Sequence, residues 1–271
     1  MKEKNKYIVL GIIVIMCCCF VWQTIQINRI SREIIEKDKE IISLSEEIEE
    51  LRYELIRIGL IDIIHYDSKK FNYLAIGNSI TKHGKCDYWW NEIGMAASDV
   101  DKDYYHIVSS YLEEYSGKKV VSYAVNFSQW ETNGHDRAQT FGDIKKYLSE
   151  ELDLVTIQLS ENVSDLTTFE SDFEELVKYV HSECPNAQII LVDEFWDSTK
   201  SQIKKGVANK FEIPFADLSE IRGCSEYQSY MGAMVYDSDG GKHIVEHAGT
   251  AGHPGDSGMQ YIADAIIALL K

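Results

Sequence analysis

Tyr73-Leu74-Ala75-Ile76-Gly77-Asn78-Ser79-Ile80-Thr81 joins an unbroken apolar run to a short polar turn. An apolar run bounded by a turn reads as a buried strand, which places Ser79 just beyond the strand's carboxyl end with its hydroxyl exposed. Near the other end of the chain, His253-Pro254-Gly255-Asp256-Ser257-Gly258-Met259 precedes a closing helical pattern. A serine hydroxyl is a weak nucleophile near neutral pH, and a histidine returned by the fold supplies the general base it lacks. Taken singly, Ser79 reads as a helix cap and His253 as a solvated loop residue. Taken with a third block between them, they read as a catalytic pair.

Outward from that strand, short apolar runs alternate with helical spacing. Phe71–Ile76, Val120–Val125, Leu154–Leu159 and Ile189–Val192 read as buried strands, and Ile213–Phe215 as a shorter one. Tyr104–Tyr115, Phe141–Leu148, Phe169–His181, Lys200–Phe211 and Gly258–Leu270 have helical spacing. Strict alternation of this kind implies an α/β domain, a parallel sheet with helices on both faces. Such sheets carry their reactive groups on loops at the carboxyl ends of the strands. Ser79, Asn126, Asn162 and Glu194 all fall at or just past such ends.

In these residues the chain resembles the SGNH (GDSL-type) hydrolases, over roughly Phe71–Lys271. Gly77-Asn78-Ser79-Ile80-Thr81 is similar to the family's first block, with Asn78 where Asp is usual. Ser160-Glu161-Asn162 is similar to the Gly-x-Asn block, and His253-Pro254 with Asp256, Gly258 and Met259 to the last. The second block, Val125-Asn126-Phe127-Ser128-Gln129-Trp130-Glu131, lacks the glycine whose backbone N–H the family often uses. The resemblance implies a three-layer α/β/α sandwich with a flavodoxin-like parallel sheet, and ester cleavage by Ser79 with His253 as base. It implies an oxyanion hole made from the Ser79 N–H and the Asn162 amide, with Asn126 or Ser128 as a further donor. No metal or organic cofactor enters such a reaction. The family's orienting acid stands three residues before the histidine, where this chain has Thr250. A Ser–His dyad, or an acid from Asp256, Glu246 or Glu194, then takes its place.

Other readings compete. His243-Ile244-Val245-Glu246-His247 fits the inverted zinc-peptidase pattern H-x-x-E-H. That motif needs a steady helix, and the flanking Gly240-Gly241 and Ala248-Gly249 argue against one. A silent binding module on the same scaffold is a second rival, supported by Thr250. An O-acyltransferase using sugar hydroxyls is a third.

The first sixty or so residues differ from the rest. Residues 7–28 hold no charged side chain, and as a helix they would span roughly 33 Å, against about 30 Å of bilayer core. With Lys2, Lys4 and Lys6 ahead of it, this stretch is expected to be a single-pass signal anchor that leaves the catalytic domain extracytoplasmic. Ile27, Ile30, Ile34, Lys37, Ile41, Leu44, Ile48, Leu51, Leu55 and Ile58 then alternate three- and four-residue steps. That seam predicts a coiled-coil stalk and a parallel homodimer. The expected organisation is 1–28 tip and anchor, 29–66 stalk, 67–271 hydrolase domain. The net charge of −17 excludes a phosphate backbone as partner. Of six cysteines, three sit within the apolar stretch and the rest are scattered, so no disulfide framework is expected. A stalked domain suits O-acetylated cell-surface or capsular saccharides, with Trp89, Trp90 and Trp130 as candidate sugar platforms.

Overall fold

The computed structural model describes residues 20, 22–23, 26–27, 29–39, 41–44 and 64–271. The chain divides into two compact units, Met1–Ile63 and Ile64–Lys271. Every described residue of the first unit is helical. The described apolar seam positions Ile27, Ile30, Ile34, Ile41 and Leu44 are all exposed, and Ile48, Leu51, Leu55 and Ile58 lie outside the described residues. Among the described residues no helix is long and apolar enough to cross a membrane. That finding overturns the expected single-pass anchor and the localisation drawn from it. Most of the apolar stretch behind the expectation, residues 7–28, lies outside the described residues.

The second unit runs β1 (Phe71–Gly77), α1 (Tyr104–Ser116), β2 (Val120–Asn126), α2 (Ser128–Thr132), α3 (Phe141–Lys145), β3 (Leu154–Gln158), α4 (Phe169–Glu183), β4 (Gln188–Val192), α5 (Ser198–Lys210) and β5 (Phe215–Ala216). A hairpin of β6 (Met234–Tyr236) and β7 (Lys242–Ile244), a single turn α6 (Ala248–Ala251) and a closing helix α7 (Asp256–Ile267) follow. The five main strands are parallel in the order β2-β1-β3-β4-β5. This is the flavodoxin-like order, with its switch point between β1 and β3. Successive strand residues point to opposite faces, and both faces are covered. Tyr73, Ala75, Leu154, Ile190 and Val192 join one core with Tyr104, Val108 and Leu112 of α1 and Met259, Ile262 and Ile266 of α7. Leu74, Ile76, Val155, Ile157, Ile189 and Leu191 join the other with Phe169, Phe173, Leu176, Val177 and Val180 of α4 and Val207 and Ala208 of α5. Burial on both faces is why these strands read as continuous apolar runs rather than alternating ones.

Gly77 ends β1 where the sheet hands over to the serine turn. A Cβ there would lie 1.8 Å from Thr81 Oγ1 and 2.7 Å from the carbonyl oxygen of Gln158. Thr81 also bonds Tyr104 Oη at 2.6 Å and Gln158 Oε1 at 3.3 Å, so the neighbours are tied down. Gly77→Ala is therefore expected to force β1 from β3, at a cost of about 1–3 kcal/mol or more. Thermal unfolding measures it, and a Tm within a degree of the parent refutes the close approach.

Candidate active site

Ser79 Oγ stands 2.8 Å from His253 Nε2. The serine turn is held by its own asparagine, since Asn78 Oδ1 accepts the Ile80 N–H at 3.0 Å. The Ser79 carbonyl accepts the Met95 N–H at 2.8 Å. His253 Nδ1 lies 2.7 Å from the Gly249 carbonyl oxygen. A carbonyl only accepts, so Nδ1 carries the proton and Nε2 turns its lone pair to the serine hydroxyl. Burial pulls the His253 pKa down to about 4, reinforced by the nearby His83 and His247 and opposed by the Gly249 carbonyl. The ring is thus neutral at physiological pH, the state a general base requires.

A main-chain carbonyl occupies the place of the expected acid. Thr250 is buried, and its Oγ1 has no hydrogen-bond partner among the described residues. None of the three candidate acids is hydrogen-bonded to the His253 ring among the described residues. Asp256 accepts from Ser98 N at 2.8 Å and Ser98 Oγ at 2.6 Å. Glu194 is buried against Lys204 Nζ at 3.1 Å. Glu246 is exposed to solvent.

The residue that sequence reasoning missed is Glu131, on α2. It is only 1 % exposed, and no cation pairs with it among the described residues. Its carboxylate instead collects N–H donors from the serine block and from the Ser160-Glu161-Asn162 block: Asn78 Nδ2 at 2.9 Å, Ser160 N at 2.5 Å and Asn162 Nδ2 at 2.5 Å. Burial raises its pKa, and these donors act against that rise. The contact accounts for Asn78 in place of aspartate, because a carboxylate there would face Glu131 with like charge and no donor. Asn78→Asp is accordingly expected to lose most activity at pH 7 and to recover part of it as the pH falls and the two carboxyls share a proton. A pH–rate profile parallel to the parent's would remove this explanation.

Asn162 gives one Nδ2 proton to Glu131, which leaves its second for another acceptor. Asn126 is drawn away, since its Nδ2 donates to the Lys82 carbonyl at 2.7 Å and its Oδ1 accepts the Ser128 N–H at 3.0 Å. The Ser128 N–H is engaged in this arrangement, whereas Asn126, like Asn162, keeps a second Nδ2 proton. Ser160, where the resemblance has glycine, has φ +106°, a region that costs a residue with a side chain about 1–3 kcal/mol. It is held there from several sides. Its N–H goes to Glu131, its carbonyl accepts Lys200 Nζ at 2.7 Å, and its Oγ donates to Glu194. Lys204 Nζ, fully buried, also donates to the Leu159 carbonyl at 2.8 Å. Beside this network, burial and the Glu194 carboxylate push the Glu161 pKa well up.

The mouth of the site is aromatic. Trp196 stands edge-on to the His253 ring at 5.0 Å and donates its Nε1–H to the Gly252 carbonyl at 2.9 Å. Tyr88 stacks on His247 at 4.1 Å. Of the three tryptophans expected as platforms, Trp89 and Trp130 are buried in the cores. Trp90 is half-buried and stacked on His243 at 4.4 Å. His243 also bonds Asp237 Oδ2 at 2.8 Å. The two histidines of H-x-x-E-H thus have separate partners, His243 on a strand and His247 at the cap of α6. Among the described residues no group of His, Cys, Asp and Glu is arranged to hold a metal ion.

No family model matches the chain, and neither does any curated protein. Solved structures do resemble it. A two-domain esterase active on acetylated mannans is 16 % identical with a TM-score of 0.49, over 73 % of this chain and 48 % of that one. Phospholipase A1 from Streptomyces albidoflavus NA297 is 10 % identical with a TM-score of 0.48, over 74 % of this chain and all of that one. Axe2, an acetylxylan esterase from Geobacillus stearothermophilus, is 16 % identical with a TM-score of 0.46, over 74 % and 95 %. A putative GDSL-like lipase from Parabacteroides merdae ATCC 43184 is also among the solved structures similar to this chain, at 16 % identity and a TM-score of 0.48, over 77 % of this chain and 98 % of that one.

Proposed function

We propose that the protein is a serine esterase of SGNH type that removes O-acetyl groups from saccharides. The observation that carries the chemistry is the 2.8 Å contact between Ser79 Oγ and the unprotonated Nε2 of His253, with Nδ1–H fixed on the Gly249 carbonyl. His253 takes the hydroxyl proton as Ser79 Oγ bonds to the ester carbonyl carbon. The same proton passes to the departing alcohol oxygen when the C–O bond breaks, leaving an acetylated serine. A water molecule, deprotonated by the same ring, then releases acetate. The oxyanion is met by the Ser79 N–H and the second Nδ2 proton of Asn162. Loss of one such donor typically costs about 10²–10³ in rate.

A fluorophosphonate probe is expected to label Ser79 alone, and labelling that survives Ser79→Ala refutes the assignment. Acetate release measured against long-chain lipid ester cleavage tests the acyl preference. If acetyl groups instead accumulate on added sugar acceptors rather than in solution, the enzyme is a transferase.

The stalk is proposed to pair two chains in parallel. Support comes from the helical state of the described seam and from the exposure of Ile27, Ile30, Ile34, Ile41 and Leu44 in the single chain. Burying each such side chain contributes about 1.5–3 kcal/mol. Ile34→Asp with Ile41→Asp should turn a dimer into a monomer in sedimentation equilibrium. A dimer that survives both changes has its interface elsewhere.

A further inference from the structure

A small ester needs only the serine and histidine, yet the surface beside them is built for something larger. Trp196 is 37 % exposed while its indole is locked by the bond to the Gly252 carbonyl, three residues beyond the Gly249 carbonyl that holds His253. Tyr88 is 38 % exposed, with one ring face covered by His247. His247 in turn packs on Gly249, where an added Cβ would come within 2.9 Å of its ring. Both exposed aromatics are therefore fastened to the segment that positions the general base. A fixed aromatic with an open face loses little conformational entropy on binding, and its negative face attracts the polarised C–H groups of a pyranose. The acidic chain, at net charge −17, would repel a polyanion but not a neutral glycan.

Resting on the esterase reading above, we propose that Trp196 and the Tyr88–His247 stack form the saccharide-binding surface of this site and seat neutral pyranose units beside Ser79. The platform is assembled from two distant loops, one after β1 and one after β4, both of which pack on the segment His247–His253. It differs from the tryptophans that sequence alone suggested, since those pack inward. Tyr230, 67 % exposed at the lip of a cavity of about 420 Å³ that Ser98, Met234 and Asp256 also line, is the competing aromatic.

Binding is tested in the full chain carrying Ser79→Ala, titrated with mannopentaose and with xylopentaose by calorimetry. At least one pentasaccharide is expected to bind, and Trp196→Ala and Tyr88→Ala are each expected to weaken it tenfold or more. Trp196→Phe, which keeps a ring, should restore part of the loss. Circular dichroism of each variant confirms that the fold is retained. Three results overturn the proposal: no binding of either sugar, binding indifferent to both substitutions, or loss on Tyr230→Ala in their place. The esterase reading is read out separately, by p-nitrophenyl acetate turnover in the Ser79 protein. Turnover without sugar binding rejects the platform and keeps the esterase, and sugar binding without turnover does the reverse.

Discussion

Ser79→Ala and His253→Ala are each expected to lower turnover of p-nitrophenyl acetate by about 10⁴-fold or more, and the double variant is expected to be no worse than either. The two side chains act as one unit across a 2.8 Å bond, so removing either removes the nucleophile's activation. By contrast, alanine at Asp256 or Glu246 should cost far less, because neither carboxylate touches the imidazole. A loss at either position equal to that of His253→Ala, in folded protein, would restore an acid to the site. The same geometry sets the pH response. Only the neutral ring accepts the serine proton, and its pKa is lowered to about 4. Activity should therefore rise with pH through about 4 and be level by pH 6. An acid limb centred near the ordinary histidine value of about 6.5 would mean that a carboxylate supports the ring after all.

The second large effect is expected at Glu131. Its alanine variant leaves the Asn78 amide, the Ser160 N–H and the Asn162 amide without their shared acceptor, each at about 1–3 kcal/mol. In a domain of this size a loss of 1 kcal/mol lowers Tm by about 2–4 °C, so a fall of several degrees should accompany the change. Glu131→Gln separates folding from catalysis. It keeps the shape and one acceptor oxygen, but turns an NH₂ towards donors that need none. Its kcat should fall about 10²-fold with little change in KM, the pattern of an oxyanion donor out of place. Unchanged kcat in Glu131→Gln would show that Asn162 holds its position without the carboxylate.

Much of the sheet was legible because both its faces are buried. Phe71–Ile76, Val120–Val125, Leu154–Leu159 and Ile189–Val192 read as strands from apolar runs alone, and the structure places their ends within a residue of those readings. The hairpin of β6 and β7 was not read, since three-residue strands carry too little periodicity to stand out. Helix α5 was read from Lys200–Phe211 on a weaker signal, and the structure places it at Ser198–Lys210. Its inward face is Lys200, Ser201, Lys204, Val207 and Ala208, so polar residues occupy core positions and the apolar period is faint. Ser79, Asn162 and His253 could be named because block spacing marks them. Glu131 could not, because a carboxylate that is buried by pairing only with amide donors leaves no charge partner or spacing in the sequence. The main-chain carbonyl of Gly249 is equally silent, as every residue has one. The expected anchor was overturned because no helix among the described residues is long and apolar enough to cross a membrane, and most of the apolar stretch lies outside them.

Helix α7 packs its Met259, Ile262 and Ile266 across α1 in the core beneath the sheet, and His253 enters the chain just ahead of it. Order of synthesis gives that placement a temporal meaning. At about 5–20 residues per second, the 174 positions from Ser79 to His253 take about 9–35 s to emerge from the ribosome. On the proposed assignment, the nucleophile is made early and lacks its base until the stretch that carries His253 and α7 has been made. A chain that stops short of His253 then carries Ser79 without an activator, so the proposed reactivity is expected only where the closing segment is in place.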